Sequence, residues 1–217
     1  LLAGAIQADN AQGTLLLGKG QAAVAPAGQP PRLETVVRPR DAVQWALYYP
    51  PIFSYDPRAF KDPAPDSWQA RANQAAQAIA RKDLTQALDR LEDLPDPVDD
   101  PQFYVYRASL KLTVGSVADA DADIAKALAL DENNSPALAL RAVMAVVQNR
   151  KADALNDARQ AVESDPLSAV AQMALSYAHQ ADFNLAAAHQ AAQAAVEAQP
   201  DNALAWARLA ELRLALG

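Results

Sequence analysis

The second half of the sequence repeats every 34 residues, and this period constrains the fold more than any other feature. Residues 101–217 align with themselves at this shift without a gap, and the unit starts are Pro101, Ser135, Ala169 and Ala203. Fourth positions are mostly large: Tyr104, Leu138, Gln172 and Trp206. Eighth positions are small: Ala108, Ala142, Ser176 and Ala210. Such a repeat predicts a stack of similar units that bury one another's apolar faces.

Alanines at fixed offsets predict two antiparallel helices in each unit. Two alanines follow each small residue at the same distances in successive units: Ala120, Ala154 and Ala188, then Ala127, Ala161 and Ala195. A small residue on the first helix lets the second helix approach closely. Pro166 and Pro200 then end the second helix, because proline cannot continue it.

These features resemble the tetratricopeptide repeat. The matching motifs are WARLA from Trp206, Asp165–Pro166 and Gln199–Pro200. The resemblance implies a mainly α fold: a right-handed α-solenoid of about 3.5 to 4.5 helix pairs. The predicted domain comprises residues 67–217, with units at about 67–100, 101–134, 135–168 and 169–202 and a final helix at 203–217.

Two parts of the array depart from the family pattern. Gly115 fits the turn between the two helices, but Asn149 and Phe183 stand where the family commonly has glycine. We therefore expect those turns to be strained or differently shaped. A degenerate first unit is predicted from Ser67 to about Leu94, with packing residues Trp68, Ala75, Ile79, Ala87 and Leu91.

Residues 1–55 differ from the repeats in composition, with short apolar runs separated by Pro and Gly, and are predicted to be β-rich. Short apolar runs begin at Thr14, Gln21 and Arg32, and a turn is expected at 27–31. Residues 56–66 contain several prolines and cannot form a helix interior, so they are predicted to be a linker.

The front segment resembles the end of the bacterial FecR-type β domains that precede tetratricopeptide arrays. The resemblance covers GTLLLGKGQAAVAPAGQPPRLETVVRP and DAVQWALYYPP, within residues 11–53. It implies a periplasmic or outer-membrane-associated protein of which this sequence is an internal part, although a cytoplasmic location stays open. If the sequence holds only the end of such a β domain, its sheet has open strand edges, through which a homodimer could form.

Composition narrows the classes of partner. The net charge of −7 and pI near 4.8 disfavour nucleic acid, which needs clustered Lys and Arg. The absence of cysteine removes disulfides and thiolate chemistry. The sequence contains no apolar run of the roughly 20 residues that a membrane span requires.

Two motifs imitate ligand loops. GTLLLGKG, at 13–20, has P-loop spacing but lacks the Ser or Thr after Lys19 and a following helix, so a hairpin is the better interpretation. DADAD, at 119–123, begins like an EF-hand loop, but Ile124 and Leu130 occupy the positions that need Gly and Glu. A solvated helix start is expected there.

Enzymatic constellations are absent from the sequence. His179 and His189 have no carboxylates near them in sequence that would complete a metal site. No serine lies in a Gly-x-Ser-x-Gly elbow. We therefore expect no enzyme, no metal and no cofactor.

The resemblance implies that the first helix of each unit lines a concave groove, which positions two, five, nine and twelve would face. This surface is mainly apolar and lacks the Lys and Asn set that holds a peptide carboxylate. Position two of the four units is occupied by Gln102, Pro136, Val170 and Leu204. The predicted partner-binding residues are Val105, Ser109, Leu112, Ala139, Val143, Val146, Met173, Tyr177, Gln180, Ala207, Glu211 and Leu214.

An aromatic cluster lies just before the array, within residues 41–60. One hypothesis is that Asp41 caps a short helix ending at Pro50 and that the rings cover the groove in cis. The other is that they complete the β domain. The candidate cis-packing residues are Trp45, Tyr48, Tyr49 and Phe53.

Two functions therefore stay open. The first is a non-catalytic protein-interaction scaffold that binds a protein or peptide segment in the groove. The second is a structural spacer or assembly module whose groove is filled by its own aromatic segment or by a sister copy.

Overall fold

The computed structural model describes residues 6–17, 22–34, 49–53, 55, 60–92, 94 and 98–216. The chain divides into two compact units. The first consists of Leu1–Tyr48 and Val114–Val117, and the second of Tyr49–Thr113 and Ala118–Gly217.

The first unit contains two antiparallel two-stranded sheets. Strands β1 (Ile6–Asn10) and β2 (Gly13–Leu17) form one, and β3 (Ala22–Val24) and β4 (Arg32–Glu34) form the other. The side chain of Asn10 closes the first hairpin, since its Oδ1 accepts hydrogen bonds from the backbone N–H groups of Gln12 (3.0 Å) and Gly13 (3.1 Å). Residues 13–17 of GTLLLGKG thus lie in a hairpin, as predicted, whereas residues 18–20 lie outside the described residues. Strand β1 was not foreseen, although its sequence alternates apolar and polar residues.

The second unit is an array of helix pairs with the predicted period. The helices are α1 (Trp68–Ala80), α2 (Leu84–Glu92), α3 (Pro101–Thr113), α4 (Val117–Leu130), α5 (Ser135–Val147), α6 (Lys151–Ser164), α7 (Ala169–Ala181), α8 (Leu185–Ala198) and α9 (Ala203–Leu216). From α3 onward, both the first and the second helices start 34 residues apart. The predicted mainly α fold, with its short β segment, is confirmed.

Small residues lie where the helices approach most closely, as the repeat pattern predicts. All the small and alanine positions of the three central units are buried: Ala108, Ala120, Ala127, Ala142, Ala154, Ala161, Ser176, Ala188 and Ala195. Ala210 is exposed, because no helix follows α9 within the described residues. The array core is therefore built from close backbone approach rather than from large side chains.

The degenerate first unit is also present. Ser67 caps α1, since its Oγ accepts a hydrogen bond from the Ala70 N–H (3.3 Å). Among the predicted packing residues, Ile79 is half-buried and the other four are buried.

Each of the four turns between paired helices has a residue with a positive φ. In the units that start at 101, 135 and 169 it is the fifteenth residue, Gly115 (79°), Asn149 (58°) or Phe183 (59°), and in the first unit it is Lys82 (63°). The three non-glycine turns share one hydrogen-bond pattern, in which two backbone N–H groups return to the preceding helix. For Phe183 these bonds are its own N–H to Gln180 O (2.9 Å) and Asn184 N–H to His179 O (2.9 Å). The positive φ of Asn149 and of Phe183 fits the expectation of strain in these turns.

Candidate binding groove

The predicted groove residues fall into two groups. We call their common surface the first-helix face. The predicted residues on α3 and α5 are buried, except for Val146, which is half-buried. On α7, Met173 is buried and Tyr177 is half-buried. Four residues toward the C-terminus are exposed: Gln180, Ala207, Glu211 and Leu214. Something other than helix packing therefore covers one end of this face.

Residues 49–53 and 55 lie against the α3 and α5 part of the first-helix face. Ile52 is only 2% exposed, and Pro50 is buried too. Tyr49 and Phe53 line the same contact, whereas Trp45, Tyr48 and Asp41 lie outside the described residues. The helix residues opposite the segment are Ser109, Leu112, Thr113, Leu140 and Val143. The cavity left between the two sides is about 30 Å³, so the fit is close.

Tyr55 anchors the segment by a directional contact. Its hydroxyl lies 2.9 Å from Ser109 Oγ, and its ring packs edge-on against Tyr106 with centroids 5.3 Å apart. Ser109 Oγ donates its proton to Tyr106 O (2.8 Å), so the phenol must donate to Ser109. Burial raises the pKa of Tyr55 above its usual 10.0, and this effect outweighs the opposing influence of the neighbouring Ser109 and Thr113 side chains.

Phe60 is held at the other end of the segment by α1. Asn73 Nδ2 donates to Phe60 O (2.7 Å), and Phe60 N–H donates to Asn73 Oδ1 (3.3 Å). The Phe60 ring packs edge-on against Trp68, 4.9 Å between centroids. The space between Phe53 and Phe60 remains open: a cavity of about 180 Å³ is lined by Phe53, Phe60, Trp68, Gln102, Val105, Tyr106, Asn134 and Pro136.

The exposed end of the first-helix face is organised by a buried arginine. Arg208 Nε donates to Ser176 Oγ (3.0 Å), and the guanidinium lies 3.9 Å from the centre of the Tyr177 ring. Arg208 Nη1 also pairs with Glu211 Oε2 at 3.2 Å. Leu214 is 85% exposed one turn further on. This end therefore presents an aliphatic side chain beside a carboxylate whose charge is partly balanced.

Sequence reasoning missed a repeated ion pair between paired helices. Arg107 and Asp123 are both buried and form two 2.8 Å bonds, and Lys111 Nζ adds a third at 2.8 Å. One repeat later, Arg141 binds Asp157 in the same way, at 2.9 and 2.8 Å. The signal was available, because Arg and Asp recur at the seventh and twenty-third positions of two units. The expected solvated start at DADAD is wrong for Asp123, since this carboxylate faces α3 rather than water.

The two histidines do not form part of a larger cluster. Both are half-buried, and burial, assisted by Arg159, lowers the pKa of His179. Over the described ranges, no group of three or more His, Asp or Glu side chains could hold a metal ion. Within the same ranges, no helix combines the length and apolarity needed to cross a bilayer.

Neither family profiles nor curated proteins match this sequence. Solved structures do match. The tetratricopeptide protein TTC0263 of Thermus thermophilus has a TM-score of 0.60 and 19% identity, over 70% of this chain and 84% of that one. Two weaker likenesses are MamA from Desulfovibrio magneticus RS-1 (TM-score 0.49, 20% identity, 68% and 84% covered) and the first repeat domain of Spaghetti (RPAP3) bound to an HSP90 peptide (0.46, 20%, 55% and 95%).

The likeness to TTC0263, together with the period of the helices and their turns, shows the fold class. The chain carries a tetratricopeptide-repeat solenoid preceded by a short β segment.

Proposed function

We propose that the chain is a non-catalytic protein-interaction scaffold. The observation that carries this proposal is that the first-helix face remains open at α7 and α9 while its α3 and α5 part is covered. The open part combines Tyr177, Gln180, Ala207, Glu211 and Leu214. An exposed apolar side chain such as Leu214, set beside polar groups, is typical of a contact surface. Solenoids use such extended faces for binding.

Charge supports a protein partner. The chain carries −7 overall, which opposes polyanions, and Glu211 offers a carboxylate at the open end. A segment with an aliphatic or aromatic residue next to a basic residue would complement Leu214 and Glu211.

The test is a pull-down with the intact chain and two arginine variants. Leu214→Arg places a charge on the open face, whereas Leu130→Arg is a matched control on α4, away from this face, where Leu130 is also exposed. A partner retained by the wild type and by Leu130→Arg but lost by Leu214→Arg supports the proposal. A partner that both variants retain contradicts it.

A structural spacer is the second candidate, and the seating of Ile52 and Tyr55 favours it. In that case the groove is filled by the chain itself and the array serves to position other domains. Comparing the intact chain with one lacking residues 1–62 distinguishes the two functions. The spacer predicts no partner for the intact chain and capture only when the groove is emptied.

We also propose a periplasmic or outer-membrane-associated location and self-association through the front segment. The FecR-type resemblance supports the location. Over the described residues each sheet has two strands only, so both of its strands are edge strands, which supports the self-association. Light scattering of the chain with Leu15→Pro, a change inside β2, tests the association: a dimer should become a monomer. Fractionation of the source cells tests the location.

A further inference from the structure

The described residues of the segment, 49–53, 55 and 60, contact the array as a peptide ligand would. Pro50 and Pro51 restrict the backbone to extended conformations, and 49–53 has no helix or strand. Two side chains three positions apart make the specific contacts: Ile52 fills the hollow between α3 and α5, and Tyr55 bonds to Ser109. Such an arrangement gives both affinity and sequence preference, because Ile52 and Tyr55 each contact a different part of the α3 and α5 surface. We call this surface the seat.

The seat is built by the repeats themselves. Ser109, Leu112 and Thr113 come from α3, and Leu140 and Val143 come from α5. These helices are positioned by the buried alanines of the array. The polar groups of the seat also have partners without the segment: Ser109 Oγ donates to Tyr106 O, and Thr113 Oγ1 donates to Ser109 O (3.0 Å). When the segment leaves the seat, the hydroxyl protons of Ser109 and Thr113 therefore keep their acceptors.

The segment leaves part of its site unfilled. The cavity of about 180 Å³ beside Phe53 and Phe60 is lined largely by apolar side chains, among them Trp68, Val105 and Pro136. A ligand with a bulkier residue at the position of Phe53 would gain contacts there that the chain's own segment does not make.

We propose that residues 49–60 are an intramolecular copy of a ligand, and that the α3 and α5 seat exchanges it for a partner segment of the same chemistry. That segment is extended, carries proline, and presents an aliphatic residue followed three positions later by a tyrosine. This inference rests on the proposed scaffold function, but it concerns the covered part of the face rather than the open part. The tethered copy competes at an effective concentration of about a millimolar, so it acts as an autoinhibitor.

A labelled synthetic peptide, YPPIFSYDPRAF, tests the exchange by fluorescence anisotropy on full-length chains. The opened variant carries Ile52→Asp and Tyr55→Ala, which remove both cis anchors. It should bind the peptide at least about tenfold more tightly than the wild type, because it lacks the tethered competitor. A scrambled peptide is the matched control and should bind neither chain.

The tyrosine anchor has its own readout. A peptide with Phe in place of the second Tyr should bind the opened variant about fivefold more weakly, since it loses the bond to Ser109. Adding Ser109→Val to the opened variant should abolish this preference. Equal binding of the two peptides to the opened variant contradicts the assigned seat.

A second measurement does not depend on how the opened variant folds. The sequence has no cysteine, so Ile52→Cys introduces a single thiol, which is shielded while the segment is seated. Excess unlabelled peptide should raise its rate of reaction with a thiol reagent several-fold, whereas the scrambled peptide should not. An unchanged reaction rate overturns the proposal. In the anisotropy experiment, equal peptide binding by the wild type and the opened variant would also overturn it. So would a folded opened variant that does not bind the peptide. Leu214→Arg should leave peptide binding intact, so failure here is separable from failure of the open-face site.

Discussion

At the residue scale, the repeat imposes a backbone conformation that three side chains do not favour. Lys82, Asn149 and Phe183 occupy the left-handed region that Gly115 fills without strain. Asn tolerates this region better than a bulky residue does. Phe183 compensates partly, because its ring, although 84% exposed, lies 4.6 Å from Lys151 Nζ. The geometry of the turn is therefore maintained by the array and not by the local sequence.

Replacing Phe183 tests this strain. Phe183→Gly should be more stable than Phe183→Ala by about 1 kcal/mol, because both lose the ring but only glycine adopts a positive φ freely. Urea denaturation of the two variants gives the difference. If alanine equals glycine at this position, the turn is not strained.

Tyr55 should make stability depend on pH in the alkaline range. Its pKa is raised in the folded chain, so the folded state holds the phenol proton more tightly than the unfolded state. The contribution is complete below pH 10.0, the ordinary value, and is lost as pH rises through the higher folded value. Thermal melts between pH 9 and 11 should therefore fall more steeply for the wild type than for Tyr55→Phe. Parallel curves would mean that the hydroxyl is solvated.

At the element scale, an Arg–Asp ion pair joins the paired helices in two successive units but not in the unit that follows them. Arg107 with Asp123 links α3 to α4, and Arg141 with Asp157 links α5 to α6. In the next unit the equivalent positions are Leu175 and Ala191, so α7 and α8 lack this ion pair. The two ion pairs differ in solvation, since the Arg107 side chain is 8% exposed and that of Arg141 is 39% exposed.

This difference predicts unequal costs for the same substitution. Asp123→Ala removes the carboxylate that Arg107 and Lys111 share at a buried position and should cost about 3–5 kcal/mol of unfolding free energy. Asp157→Ala leaves an arginine that water can reach, so about 1 kcal/mol is expected. Chemical denaturation of both variants measures the contrast. Similar costs would show that burial of the pair is not what matters.

At the scale of the whole molecule, each helix is stabilised mainly by its neighbours in the array. Helices α5 to α8 have neighbours on both sides, whereas no helix follows α9 within the described residues, and Trp206 and Leu216 on it are about half exposed. In an array of this kind stability is a sum of unit and interface terms, so opening starts from the ends.

Hydrogen exchange followed by mass spectrometry should reveal this gradient. Amides in α9 should exchange faster than those in α5 to α8. The α3 end should be better protected than α9, because residues 49–53 and 55 cover it. Ile52→Asp should raise exchange in α3 and leave α9 unchanged, and uniform protection along the array would contradict this account.

The sequence alone determined the period, the helix pairs, the alanine contacts and the hairpin at GTLLL. These features depend on neighbours within one or two units, so residue spacing reveals them. Only the tertiary structure decided that Ile52 and Tyr55 occupy the α3 and α5 part of the first-helix face, and that Asp123 is buried with Arg107. Tyr55 and Ser109 are 54 residues apart in sequence, and their contact follows from the shape of a surface built by two helices from different units. No local pattern in the chain encodes that shape, because it exists only after the repeats have packed.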